Sequence, residues 1–247
     1  MTYAVTPTDL ATLVTLARAT SPATDPLSVA LLLWIESAGF NPASPGPPNA
    51  KPPVGGLNQM STPNLAGYRL TRDQWLTMSA AEQLPVIFQF WQGLAQSFNG
   101  GRFPSDGPRL LALNWLPRAY QTSGADANPN AVISGKAGPY AQYYAGNAWY
   151  DPDGIGAITL NTIAKRFAHE DAAGGARWQA IKAGIQAAAA APPGAPAPPT
   201  SLPPTSIAGG QGPASPPSRV MAAGVGGGGA GGLLALAVLF ALHRRRI

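Results

Sequence analysis

Leu10, Leu13, Val14 and Ala17 fall at i, i+3, i+4 and i+7, the spacing of one helix face, and predict an amphipathic helix opened near Thr6-Pro7. The next segment, PLSVALLLWIESAGF (26–40), changes character: from Val29 to Ile35 it is almost wholly apolar, the composition of a helix inside a core. Asp25 as N-cap, Pro26 at the first helical position and Gly39 as a stop bracket it. Ser79-Ala80-Ala81-Glu82 is a capping box and predicts a helix over about 80–96, with Pro85 bending or limiting its start and Asn99-Gly100-Gly101 ending it. Ile87, Phe88, Phe90, Trp91 and Leu94 give that helix a broad apolar face. Shorter helices are predicted after Ser61-Thr62-Pro63, after Thr71-Arg72-Asp73, and over Arg109–Leu116, which Pro117 closes. Asn128–Ser134 reads as extended or looped, and Thr159 as the N-cap of a helix over Leu160–Phe167. An Ala-rich helix from Glu170 to Ala191, broken early at Gly174-Gly175, comes last. The sum is a mostly α fold over residues 1–191.

The pattern then stops. Residues 192–218 hold ten of the 27 prolines among Ala, Gly, Ser and Thr, a composition that cannot bury a core and reads as an extended spacer over 192–219. Val220 to Leu242 runs 23 residues without a charge, long enough to span a bilayer, and Arg244-Arg245-Arg246 follows in a basic tail over 243–247. A single C-terminal transmembrane helix is therefore expected, with Gly224 and Gly228 as a small-xxx-small pair suited to helix packing. A glycine-rich arm ending in a short peripheral segment is the alternative. The N-terminus lacks the basic region and continuous apolar run of a secretory signal.

Composition narrows the chemistry. The net charge of +5 is misplaced for a nucleic-acid partner: residues 1–191 carry 12 Lys/Arg against 11 Asp/Glu, whereas the last 56 carry four Arg and no acid. No basic stripe interleaved with aromatics marks a nucleic-acid face. With no cysteine, disulfide scaffolds, thiol catalysis and Cys-ligated metals are excluded. The two histidines, His169 and His243, argue against a His-rich metal site and a Ser-His-Asp triad, and no Gly-x-Ser-x-Gly elbow is present. Carboxylate chemistry without metal or cofactor survives.

Glu36 is the carboxylate that stands out, in the last turn of the apolar helix. Burying an ionised Glu costs several kcal/mol unless it is paired or protonated. Leu32, Leu33 and Ile35 surround it with hydrocarbon, Trp34 adds an aromatic, and a helix C-terminus disfavours negative charge. All three raise its pKa toward that of a general acid. The alternative is an ordinary Glu pointing into solvent.

The residues after it favour the acid. Glu36-Ser37, Phe40-Asn41-Pro42, Ser44 and Gly56-Leu57-Asn58-Gln59-Met60 resemble, in order, the signature of the lytic transglycosylases with a lysozyme-like fold. The resemblance implies Glu36 as catalytic acid, with Ser44, Leu57, Gln59 and Met60 along the sugar groove. The chain departs from the pattern in its long Pro/Gly-rich loop from Ser44 to Gly55. A tyrosine hydroxyl near the acid is common in the family, and Tyr140, Tyr143 and Tyr144 form the densest tyrosine cluster; spacing does not choose among them, and packing is the alternative for all three. Trp115 and Tyr120 are further candidates for stacking on sugar faces. Asp151-Pro152-Asp153-Gly154-Ile155-Gly156 looks like a degenerate EF-hand loop, since Ile155 offers no oxygen at position 5 and Thr162 replaces the bidentate Glu at position 12. The same loop and the helix after it resemble a phage-type subgroup of these transglycosylases.

The implied activity is cleavage of the β-1,4 bond between N-acetylmuramic acid and N-acetylglucosamine in peptidoglycan. No second carboxylate sits in a comparable motif, so the resemblance implies assistance by the substrate acetamido group and a 1,6-anhydro product rather than a two-carboxylate route. Hydrolysis of the same bond by water, as in a lysozyme, is the neighbouring alternative; a membrane-tethered glycan-binding or structural virion protein is the one from another class. A C-terminal span without a signal places the domain on the side of the membrane away from the wall. A phage particle, through an internal membrane or an ejection apparatus, resolves this by delivering the domain to the host periplasm and cell wall, in company with other virion proteins.

Overall fold

Thr6 opens the first helix: its hydroxyl accepts from the Asp9 amide while Asp9 Oδ2 accepts from the Thr6 amide, a capping box that starts α1 (Pro7–Ala19) where the sequence predicts it. The predicted stripe is its buried face, with Leu10, Leu13, Val14 and Ala17 at most 7% exposed. In α2 (Pro26–Glu36), Asp25 accepts from the amides of Leu27 and Ser28, and Val29 to Leu33 and Ile35 are buried. The reason α2 is apolar nearly all round is that α1 and three later helices, over Gly107–Trp115, Leu160–Ala173 and Gly175–Ala190, surround it. Burying Leu31, Leu32 and Leu33 contributes about 1.5–3 kcal/mol each. This computed structural model describes residues 3–48 and 50–191. The expected linker, membrane-spanning helix and basic tail lie outside the described residues, among which no helix is long and apolar enough to cross a membrane.

After α2 come the antiparallel strands β1 (Val54–Gly55) and β2 (Met60–Ser61), paired Val54 to Ser61 and Gly55 to Met60, with the Gly56–Gln59 turn between them. Then follow α3 (Thr62–Gly67), α4 (Arg72–Thr77), capped by a Thr71/Gln74 box, and α5 (Ala80–Phe98), opened by the Ser79/Glu82 box. Because α5 starts at Ala80, Pro85 lies inside it rather than setting its start. Next are α6 (Gly107–Trp115), capped by Asp106, and α7 (Pro117–Ser123). Pro117 does not simply close α6 but opens α7, because its fixed φ suits a first helical position that needs no amide donor.

The last third holds β3 (Ser134–Gly135), α8 (Ala141–Asn147), a 3-10 turn (Ala148–Tyr150), β4 (Ala157–Ile158), α9 (Leu160–Ala173) and α10 (Gly175–Ala190). β3 and β4 pair antiparallel, Ser134 with Ile158 and Gly135 with Ala157. Thr159 caps α9 as predicted, and Thr162, the residue at the last EF-hand position, is its capping-box partner. α9 runs past Phe167 to Ala173, so Glu170 to Ala173 belong to it; the glycine break then starts α10, with Gly175 at φ +64°. Ten helices and four two-residue strands make the described residues mostly α.

Candidate active site

Glu36 is the last residue of α2. Ser37 turns the chain away: its amide and hydroxyl both donate to Leu33 O, at 3.0 and 2.6 Å, and satisfy the helix end. That leaves the carboxyl of Glu36 against the protein interior at the rim of the core. There Tyr150 Oη donates to Glu36 Oε1 at 3.2 Å. The side chain is half-buried, and burial pushes its pKa up to about 7, with the Tyr150 hydrogen bond pulling the other way. No carboxylate is among the groups that shift it, and a second one within about 5 Å would. The Trp34 ring lies 5.6 Å from that of Trp178, under Arg177.

Tyr150 is the tyrosine that the sequence did not single out. It ends the 3-10 turn and is 7% exposed. Burial raises its own pKa well above the usual value, so at neutral pH its hydroxyl is a donor. The next residue fixes the turn: Asp151 accepts from the amides of Ile155 at 3.1 Å and Gly156 at 2.7 Å and from Tyr144 Oη at 2.8 Å. Burial works to raise the Asp151 pKa, but these donors outweigh it and hold the group below the ordinary value. The EF-hand-like spacing is thus a carboxylate-organised turn that aims Tyr150 at Glu36. Among the described residues no cluster of three acidic or His side chains could hold a metal ion. Of the three tyrosines expected near the acid, Tyr144 spends its hydroxyl on Asp151, while Tyr140 and Tyr143 pack against each other with ring centres 6.3 Å apart. The signal that could have found Tyr150 is its place directly before the Asp-Pro-Asp-Gly turn.

Ser37 Oγ accepts from the Asn41 amide at 2.8 Å, and Gln59 Nε2 donates to Ser44 Oγ at 3.2 Å and to Gly56 O at 2.9 Å. The structure thereby joins Ser44 and Gln59, but no hydrogen bond among the described residues links either to Glu36. Ala38, Phe40 and Gln59 hold left-handed φ of 53°, 59° and 52°, which costs non-glycine residues about 1 kcal/mol or more each. The fixing comes from behind: fully buried Gln83 accepts from Leu57 N at 2.9 Å and donates to Pro42 O and Trp75 O at 2.8 and 2.7 Å. Leu57 and Met60, expected along the groove, are 0% and 2% exposed and are core residues under the Gln59 turn. Asn58 is 3% exposed, and neither of its side-chain polar atoms has a hydrogen-bond partner among the described residues. The proline-rich loop is tied down by Arg72, which donates to Val54 O at 3.4 Å and to Pro45 O.

Trp115, half-buried at the end of α6, brings its ring to 6.1 Å from that of Tyr150. Trp149 packs edge-on against Tyr150 at 4.9 Å. Tyr120, the other stacking candidate, is 2% exposed and donates to Asp126, so it is a core residue. Elsewhere a groove of about 330 Å³, lined by Leu16, Thr20, Pro85, Phe88, Gln92 and Phe103 among others, includes no ionisable side chain and none of the Glu36 group. What the Glu36 group can do chemically is give up a proton near pH 7 beside an aromatic face, and take one back.

No family model, no curated protein and no solved structure matches the chain.

Proposed function

We propose that the chain cleaves the β-1,4 bond between N-acetylmuramic acid and N-acetylglucosamine in peptidoglycan as a lytic transglycosylase with a lysozyme-like helical domain. One observation carries the reading: a half-buried glutamate with a pKa of about 7, held by a tyrosine hydroxyl and with no second carboxylate acting on it. A group with that pKa is divided between its two forms at neutral pH, so it can serve first as acid and then as base. Protonated Glu36 gives its proton to the glycosidic oxygen as the bond to muramic C1 breaks. The substrate acetamido group stabilises the cationic centre that a second carboxylate would otherwise stabilise. The muramic 6-hydroxyl then closes on C1, and its proton returns to Glu36, which ends as it began. Between the two transfers Tyr150 Oη donates to the carboxylate and steadies its charge. Trp115, next to Tyr150, offers a face for a sugar ring, and the Ser44–Gln59 pair offers polar groups further along the chain.

The sequence beyond residue 191 extends the proposal to a membrane-anchored enzyme of a phage particle, its domain carried on a proline-rich spacer to the host wall. The test is turbidity loss of purified peptidoglycan sacculi with the full chain and with Glu36→Gln, alongside co-sedimentation. Clearing by the parent but not by the variant is expected. Sedimentation with sacculi without clearing would replace the enzyme by a glycan-binding protein.

A further inference from the structure

Behind Tyr150 lies a second pair of charges that the proposed chemistry does not use. Glu170 on α9 is 1% exposed and pairs with Arg166, one turn earlier, at 2.5 Å. The Arg166 side chain is 12% exposed, and its guanidinium carbon sits 3.5 Å from the Trp149 ring centre. Trp149 in turn meets Tyr150 edge-on at 4.9 Å, and Tyr150 donates to Glu36. The four contacts form one unbroken line from α9 to the last turn of α2.

Burying an ion pair inside one helix returns little net stability, because desolvation of both charges offsets their attraction. Its geometry is what distinguishes this pair. A planar guanidinium lies over an indole, a stacking that lysine cannot supply, and one of its terminal nitrogens meets Glu170 Oε1. The charges also act on Tyr150 in opposite senses, Arg166 favouring loss of its proton and Glu170 opposing it. A lone cation or a lone carboxylate at this place would bias the tyrosine; in the pair the two effects oppose each other. The other groups nearby are committed or outside: Asp151 takes donors from Tyr144 and the loop amides, and His169, 3.4 Å from Glu170, is 60% exposed.

We propose that the Arg166–Glu170 pair is the positioning element of the Glu36–Tyr150 site, clamping Trp149 so that Tyr150 Oη is held on the carboxyl of Glu36. Arg166 and Glu170 touch neither substrate nor the reacting atoms; they act through Trp149 and Tyr150. The consequence for catalysis rests on the reading of Glu36 as the glycan-cleaving acid, so the test is made on the carboxyl itself.

The sequence contains three glutamates, Glu36, Glu82 and Glu170, so a carbon-detected NMR titration of the full chain labelled at Glu Cδ resolves each, with Glu36→Gln assigning the first. Arg166→Lys keeps the charge opposite Glu170 and removes the planar face on Trp149. The Tyr150 hydrogen bond lowers the Glu36 pKa, so loosening it moves the midpoint upward from about 7, by roughly half to one pH unit. In the Tyr150→Phe background, where the bond is already lost, Arg166→Lys is expected to leave the midpoint where it is. A midpoint unmoved by Arg166→Lys in the parent, or moved equally in both backgrounds, overturns the proposal. Should the lysine not sustain the fold, the paired replacement Arg166→Met/Glu170→Leu poses the same question without an unpaired buried charge. Failure of the parent to cut glycan would remove the proposed function and leave this titration unaffected.

Discussion

Replacing Glu36 by Gln separates the chemistry of this carboxyl from its cost to the fold. In the unfolded chain a glutamate titrates near its ordinary value of 4.5; in the folded protein burial lifts it to about 7. Between those two values the native state holds more protons than the unfolded state, so stability falls as pH rises through the window and stays lowered above it. A shift from 4.5 to about 7 corresponds at most to about 3.5 kcal/mol. Glu36 keeps part of its surface in solvent, which screens the charge and leaves about 1–2 kcal/mol. Gln is close in shape and never ionises, so Glu36→Gln regains that amount at about pH 8 and almost none at about pH 4. For a folded unit of this size the gain at the higher pH appears as about 2–8 °C in Tm. Urea unfolding of parent and variant at the two pH values measures it, provided the slopes m agree. An equal difference at both pH values, or a variant less stable at the higher pH, would refute a buried, proton-holding Glu36.

Three further outcomes test the parts around it. Tyr150→Phe removes the hydroxyl that lowers the Glu36 pKa, so the alkaline limb of the pH–rate profile moves up by roughly half to one unit and the rate falls about tenfold or more; an unmoved limb would separate Tyr150 from the acid. Gln83→Leu leaves the Leu57 amide and two carbonyls without their side-chain partner, and denaturant unfolding is expected to read a loss of about 2–4 kcal/mol. Gly56→Ala places a Cβ 2.1 Å from Trp75 Nε1 at a φ of +79°, and a loss above about 3 kcal/mol, or failure to fold, is expected on thermal unfolding.

Most helices were legible because their signals are local, whereas α7 and α8, whose first turns no side chain caps, were not predicted. Thr6, Asp25, Thr71, Ser79 and Thr159 each accept from an amide two or three residues on, and caps of that kind are written in consecutive residues. The elevated proton affinity of Glu36 was legible for the same reason, since Leu32, Leu33 and Ile35 are its sequence neighbours. Ser37 and Gly39 donate to Leu33 O and Trp34 O and so satisfy two carbonyls of the helix end. What sequence did not reveal lies at long range. Tyr150 reaches Glu36 across 114 positions, and the three-tyrosine cluster drew attention away from it by local density alone. Leu57 and Met60 belong to the quoted motif yet face the core, while Gln59 between them is only half-buried. Pro117 shows a further limit: the same residue ends one helix and begins the next, and only the chain geometry says that both occur.

Mass spectrometry of the muropeptides released from purified peptidoglycan by the full chain, with Glu36→Gln beside it, bears most directly on the central claim. Released fragments ending in 1,6-anhydro-muramic acid, absent with the variant, are the expected result and make Glu36 the acid and base of a lytic transglycosylase. Reducing muramic ends would instead place water at C1 and contradict the transglycosylase chemistry, and anhydro products from Glu36→Gln at the parent rate would contradict the role of Glu36 itself.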